Sequence, residues 1–458
     1  MAAQLSIDQS IAEQASAVGH EIYGLIERLY PICRSITGPG LRASIAMLRE
    51  IVPLEVDEVP SSTQVFDWTV PPEWRISEAY VEDPGGKRIV DFSRSNLSVV
   101  SYSTPIDTVM SLDELRPHLH SLPERPDWIP FRTSYYTPNW GFCLPDRVLQ
   151  SLSAGKYRVV IRSSLAPGSL TLAEHLHRGA TPDEVLIFAH TCHPSLCNDN
   201  LSGVAVATYL ARFLSERPTR YSYRFVFAPA TIGSIAWLAR HEAELSRIRY
   251  GLVLSLLGDA GPFHYKLTRK GDHEIDRALR HVLLTQQREA KVLPFSPWGY
   301  DERQFASPGI NLPVGRLTRT PNGEFAQYHT SADDLGYVSP EALGESWLTC
   351  LRAMEALENN VRYLNLSPKG EPQLGRRGLY RSTGGYQNIP ERQFALLWVL
   401  NQSDGQTSLL EIAERSGLSM HLLASAANDL ERAGLLQAIS DRATEQGGQD
   451  GDGATTPS

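Results

Sequence analysis

At 458 residues the chain has room for two to four units of ordinary domain size and for at least one large core. With 42% hydrophobic and 21% charged residues it has the composition of a globular protein, not of a disordered or fibrous one. Its 43 basic and 52 acidic side chains leave a net charge of −9 with no long basic run, which disfavours nucleic acid and anionic membranes as partners and leaves a small peptide, amino acid or amide as the expected ligand.

The first residues, MAAQLSIDQSIAEQ, lack the basic start and apolar stretch of a secretory signal, and no later segment approaches membrane-spanning length, so a cytoplasmic protein is expected. Five scattered cysteines, Cys33, Cys143, Cys192, Cys197 and Cys350, are too few for a disulfide framework and are expected as thiols. An amphipathic period over about residues 11–30 predicts a helix, and after the turn-rich RSITGPG a second is predicted over about 41–51. Beyond Pro60 the runs QVFDWTV, NLSVVSY, RTSYY and YRVVIRSSL, separated by Pro, Gly, Ser and Asp clusters, predict a mainly β subdomain over residues 65–179.

From Asp183 onward strand-like and helical patterns alternate. EVLIFAH, a helix over about 201–215, YRFVFAP, a helix over about 232–245 and YGLVLSLL are followed by HYKLTR, a helix near 273–286, INLPVGR and a closing helix over about 340–360. This alternation predicts an α/β fold, a mostly parallel mixed sheet flanked by helices, built from residues 1–64 and 180–366 with the β subdomain inserted between them. The segment ERQFALLWVL, SLLEIAERSG, SMHLLASAANDLERAGLL carries three helical periods with short turns, the outline of a winged helix-turn-helix over 376–440. Its last helix holds no basic cluster, so protein contacts, including a homo-oligomer formed through this domain, or packing against the α/β unit are expected in place of DNA binding. Residues 441–458 have almost nothing to bury and are expected to be a disordered tail.

The densest polar constellation is AHTCHPSLCNDNLSG, placed between the strand VLIF and a helix. Ligands of open α/β sheets bind beyond the carboxyl ends of strands. His190 stands at such an end, with His193, Asn198, Asp199 and Asn200 in the loop after it. Imidazole nitrogens and carboxylate oxygens are the ligands of catalytic zinc, whereas helix capping alone would explain only Asp199 or Asn200. Cys192 and Cys197 flank these residues, but their spacing is a weak zinc signal and buried thiols are the simpler expectation. Downstream, GEFAQYHTSADDL supplies Tyr328 and His329, and Asp333 four positions later is placed to orient the His329 ring.

The segments VLIFAHTCHPSLCNDNLSGVAVATYLARFL, GYDERQFASPGINLP and YHTSADDL together resemble the zinc aminopeptidases of the aminopeptidase and glutamate carboxypeptidase clan. The whole chain is similar to uncharacterised bacterial aminopeptidase-like proteins with an inserted β subdomain and a C-terminal winged helix. The resemblance implies a zinc-peptidase-like sheet and assigns His190 as the strand-end ligand, Asp199 as the metal-bridging carboxylate and His329 as the late ligand. It also marks departures. Where the clan has an Asp two residues after the first His, this chain has Cys192, with His193 beside it as a substitute ligand, so the choice between His190 and His193 stays open. Where the clan has its paired glutamates, the chain reads Ala230 and Thr231, and a further Asp ligand falls at Ser255.

A ligand set reduced in this way implies one zinc ion, not two. With Ala230 at the general-base position, natural or substituted, the candidate bases are Glu302 and Glu324. The clan keeps an Asp near its pocket where Asp301 stands here. Arg303, Arg34 and Arg42 are candidates for a substrate carboxylate, and Tyr135 and Trp140 for an apolar wall. The expected function is a zinc metallopeptidase or amidohydrolase of the aminopeptidase type. The alternatives are an inactivated peptidase-like sensor and a biosynthetic amide-releasing enzyme.

Overall fold

The computed structural model describes residues 5–286, 289–380 and 390–439, so the expected disordered tail at 441–458 lies outside the described residues. Among these the chain divides into two compact units, one formed by residues 9–276 and 289–351, the other by 5–8, 277–286, 352–380 and 390–439.

The first unit is organised by an eight-stranded sheet. Its strands are β1 (Glu55–Pro60), β2 (Ser169–His177), β3 (Glu184–His190), β4 (Ser222–Ala228), β5 (Ile248–Leu254), β6 (Phe263–Lys266), β7 (Ala290–Leu293) and β8 (Val314–Thr318). They lie in the order β1-β2-β4-β3-β5-β8-β6-β7. β3 runs parallel to both β4 and β5, and β5 parallel to β8, while β1, β2 and β6 introduce antiparallel pairings. Every residue of β3 and β4 is buried. Their unbroken apolar runs are what a strand covered on both faces requires. The core gathers Leu186 and Phe188 from β3, Val226 from β4 and Val253 from β5 with Trp237 and Phe305, and Phe188 meets Phe305 edge to face at 5.3 Å.

Two sequence expectations are refined. Ser169–His177, expected within the inserted subdomain, is β2 of the main sheet, paired with both β1 and β4. The β-rich character that marks the insert continues without a break into this strand, so composition could not separate them. The insert proper is an antiparallel sheet of Glu73–Glu82, Arg88–Asp91, Ile106–Ser111 and Lys156–Ala166 around its own core of Val81, Leu115, Phe142, Tyr157 and Val159. Second, the helix expected from about residue 201 begins at Gly203 (Gly203–Ser215), preceded by a wide turn over Cys197–Ser202 in which Asp199 and Asn200 leave helical geometry.

In the second unit the helices Glu391–Gln402, Leu409–Ser416 and Met420–Arg432 accompany a three-stranded antiparallel sheet of Asp404–Ser408, Arg362–Asn365 and Leu436–Ile439. Ser408 and Glu411 form a reciprocal capping box at the start of the second helix, and Gly417 ends it at φ 70°. The strand Arg362–Asn365 stands upstream of residue 376, directly behind the helix Pro340–Glu358, where no turn signal separates them. No helix among the described residues is long and apolar enough to cross a membrane.

Candidate metal and catalytic site

The parallel strands β3, β4 and β5 end side by side, and the polar residues gather there. His190 is the last residue of β3, in register with Ala228 of β4. The loop after it is locked in place by its asparagines. Asn200 Nδ2 donates to the Leu254 carbonyl at 3.0 Å, and its Oδ1 accepts from Leu256 N and Gly203 N, tying the turn to the end of β5 and to the first helical residue. Asn198 bonds Asp259 Oδ2 and accepts from Gly258 N. Asn200 therefore takes the first N–H of this helix, and the Asp199 carboxylate faces inward.

Three imidazoles converge on that carboxylate. His190 Nε2 lies 3.1 Å from Asp199 Oδ1, His329 Nε2 lies 2.9 Å from Oδ2, and His193 Nδ1 lies 3.4 Å from Oδ2 and 3.1 Å from the Asp199 carbonyl. Ligand atoms of His190, His193 and Asp199 fall within 4.8 Å of one another. Both histidines at the strand end belong to the cluster. Exposure gives the site a direction: the side chains of His190 and Asp199 are 0% exposed, that of His193 is 11% and that of His329 is 32%.

Burial pushes the Asp199 carboxyl up, but the charge of His193 and hydrogen bonds from His190, His193 and His329 hold it well below the usual carboxylate range. Burial likewise works against charge on His193, and the Asp199 carboxylate beside it overcomes this and raises it well above an ordinary histidine. At His329 burial wins and lowers the value.

Around this cluster stand residues of two further segments, together with Tyr328 beside His329. Tyr300 stacks on His190 at 5.0 Å and donates to Asp199 Oδ1 at 3.2 Å, and Tyr328 stacks on His329 at 4.0 Å. The insert contributes Phe131, edge-on to both His193 and His329 at 5.2 Å, with its N–H donating to the His329 carbonyl at 2.8 Å. Sequence reasoning passed over Tyr300, although it adjoins Asp301, and carried no signal for Phe131.

Several expected roles are corrected by the geometry. Asp333 does not orient His329; its carboxylate accepts from the main-chain N–H of Asn198 at 2.6 Å and of Asp199 at 2.9 Å, bracing the loop instead. Glu302 is fully buried in an ion pair with Lys266 at 2.5 Å, with Arg316 at 3.6 Å, so it is committed to that pair and is not presented to the cluster. Glu324 is exposed in a turn and makes no hydrogen bond or ion pair with the cluster among the described residues. Arg34 is buried beneath the site, donating to the His193 and Leu29 carbonyls, and Arg42 is engaged by Glu73 and Glu58, so neither is presented to a ligand. Trp140 stacks on His118 at 3.6 Å, half-buried against the core of the insert. Tyr135 packs edge-on to Tyr102 at 5.5 Å. Arg303 is half-buried and reaches no carboxylate among the described residues. Asp301 accepts from Thr231 N and Ser234 Oγ through one oxygen, while its buried Oδ2 has no partner, and burial raises its pKa. Ala230 follows β4 beside the site, and its N–H points to Cys192 Sγ at 3.4 Å.

A family model described as Domain of unknown function (DUF4910) matches residues 23–360, and one described as winged helix-turn-helix matches residues 361–438. The chain is a DUF4910 protein. A relative from Clostridium acetobutylicum, named provisionally as a polysaccharide biosynthesis protein with an aminopeptidase-like domain, is 52% identical over 427 residues, 93% of this chain and 98% of that one. A crystal structure from the same organism, provisionally described as a peptidase, matches with a TM-score of 0.90 at 50% identity over 94% of this chain and 99% of that one. BSAP, a zinc aminopeptidase from Bacillus subtilis, matches at TM-score 0.55 and 15% identity, covering 76% of this chain and 94% of that one. The DUF4910 unit therefore has the aminopeptidase-like fold that the motifs resembled, followed by a winged helix.

Proposed function

We propose that this DUF4910 protein holds one zinc ion through His190, His193, Asp199 and His329 and hydrolyses a small peptide or amide. The observation that carries the reading is the convergence of three imidazoles on a fully buried carboxylate at the end of β3. A nitrogen-rich set with one carboxylate suits zinc, while Thr231 and Ser255 stand where the clan keeps ligands of a second ion. Zinc bound there would supply Lewis acidity toward a scissile carbonyl and lower the pKa of water.

The chain's own residues do the rest. Asp333 and Asn200 hold Asp199 and His190 in place, Tyr300 donates to the Asp199 carboxylate, and Phe131 and Tyr328 pack on the outer imidazoles. The name of the Clostridium relative supports a biosynthetic substrate over a digestive one. One observation favours a second reading, a binding protein without turnover: an alanine methyl at 230 accepts no proton. The test is a panel of aminoacyl amides and short peptides incubated with purified protein. Turnover that disappears with chelator and returns with zinc supports the hydrolase, and retention of a ligand without turnover selects the second reading.

A further inference from the structure

Next to His329 lies a cavity of about 380 Å³ bordered by Leu122, Arg125, Pro130, Arg132, Tyr328 and His329. Its wall is held firmly. Ile129 N donates to Ser331 Oγ and Phe131 N to the His329 carbonyl, so this extended segment of the insert runs along the one that carries the outer histidine. The Arg132 carbonyl in turn accepts from Ser101 N at 2.9 Å. The Arg132 main chain is thus fixed on both sides, while its side chain is exposed and makes no hydrogen bond or ion pair with any described residue. The Arg125 guanidinium lies over the Trp128 ring at 5.4 Å and, among the described residues, donates only to the Glu124 carbonyl. The Glu124 carboxylate, also at this cavity, pairs with neither arginine.

We infer that this cavity receives an anionic group of the substrate, gripped by Arg132 with Arg125, while the bond to be cleaved lies at the histidine cluster. The inference rests on the hydrolase reading and names its substrate class. Guanidinium is the side chain suited to planar, two-pronged recognition of carboxylate and phosphate. Arg34 and Arg42 are removed from this role by burial and pairing. Against a net charge of −9 an anion needs a local positive site, and a guanidinium with no partner among the described residues, on a hydrogen-bonded segment beside the outermost histidine, provides one.

The shared chemistry is an anion, which a carboxylate or a phosphate can supply, and the probes separate them. Calorimetric titration uses the full chain with three uncleavable reduced-amide analogues: leucyl-glycine, its C-terminal amide, and its phosphonate counterpart. The expected result is about 10-fold tighter binding of both anions than of the amide at low salt, shrinking at high salt because exposed charges are screened. The stronger of the two anions identifies the natural group. R132Q should erase the preference while zinc content and melting temperature stay unchanged, and R125Q should weaken it. Repeating the titration without zinc separates this result from failure of the zinc or hydrolase reading, because the arginines are present in either case. Equal binding of acid and amide, a preference that survives R132Q, or no binding of any probe overturns the inference.

Discussion

Replacing Asp333 by Ala removes the support beneath Asp199. The Asp333 carboxylate accepts from two main-chain N–H groups, at 2.6 and 2.9 Å, and all three residues are buried. Depriving a buried donor of its acceptor costs roughly 1–3 kcal/mol, so the pair amounts to roughly 2–6 kcal/mol if the loop keeps its path. A loop that relaxes recovers part of this by letting Asp199 turn away from the histidines, and the loss then appears as weaker zinc binding, where such supports are worth about 10–100-fold. D333A is therefore measured twice, by denaturant unfolding of chelator-treated protein and by zinc titration against a competing chelator. Asp333 also links the site to pH. Desolvation, against two backbone hydrogen bonds and with the charge of Asp199 adding, pushes it up to about 7. An unfolded aspartate titrates near ~3.9, so in the window between the two values the folded state holds a proton that the unfolded state has lost. Stability from this group is full below the unfolded value and falls by about 1.4 kcal/mol per pH unit as pH rises toward the folded value. D333N should flatten that slope. A D333A variant that unfolds and binds zinc like the parent refutes the bracing role, and an unaltered slope in D333N refutes the raised titration of Asp333.

Two further outcomes are expected. Ala230→Glu places a carboxylate two residues beyond the register partner of His190, and turnover of aminoacyl amides should rise by about 10²- to 10⁴-fold, the usual worth of a general base; unchanged or lower turnover means another group already moves the proton. The winged helix should bind duplex DNA weaker than about micromolar, because Arg392 and Arg432 are both held by Asp429 and few phosphates can be neutralised; tight, salt-sensitive binding in a mobility-shift assay contradicts this.

The sheet was legible because its central strands advertise themselves: EVLIFAH and YRFVFAP are fully buried runs, and the structure gives Glu184–His190 and Ser222–Ala228. The cluster was legible in part, since His190, His193 and Asp199 are close in sequence and His329 came with a motif. What stayed hidden depends on long-range packing. Phe131 reaches the site only because the insert pairs with residues 329–331, a register that no local pattern encodes. Arg34 and Arg42 read as free cations, and only the folded chain shows one capping carbonyls and the other facing Glu73. Asp333 was rightly singled out yet misassigned, because a spacing of four suggests a partner on the same segment while its true partners lie at Asn198 and Asp199.

The most direct test of the single-zinc site is anomalous diffraction at the zinc absorption edge from crystals grown with zinc, set beside metal content of the parent and of H329A. One peak in contact with His190, His193, Asp199 and His329, at about one equivalent and lost in H329A, is the predicted result. Two peaks, a peak elsewhere, or full occupancy in H329A would contradict it.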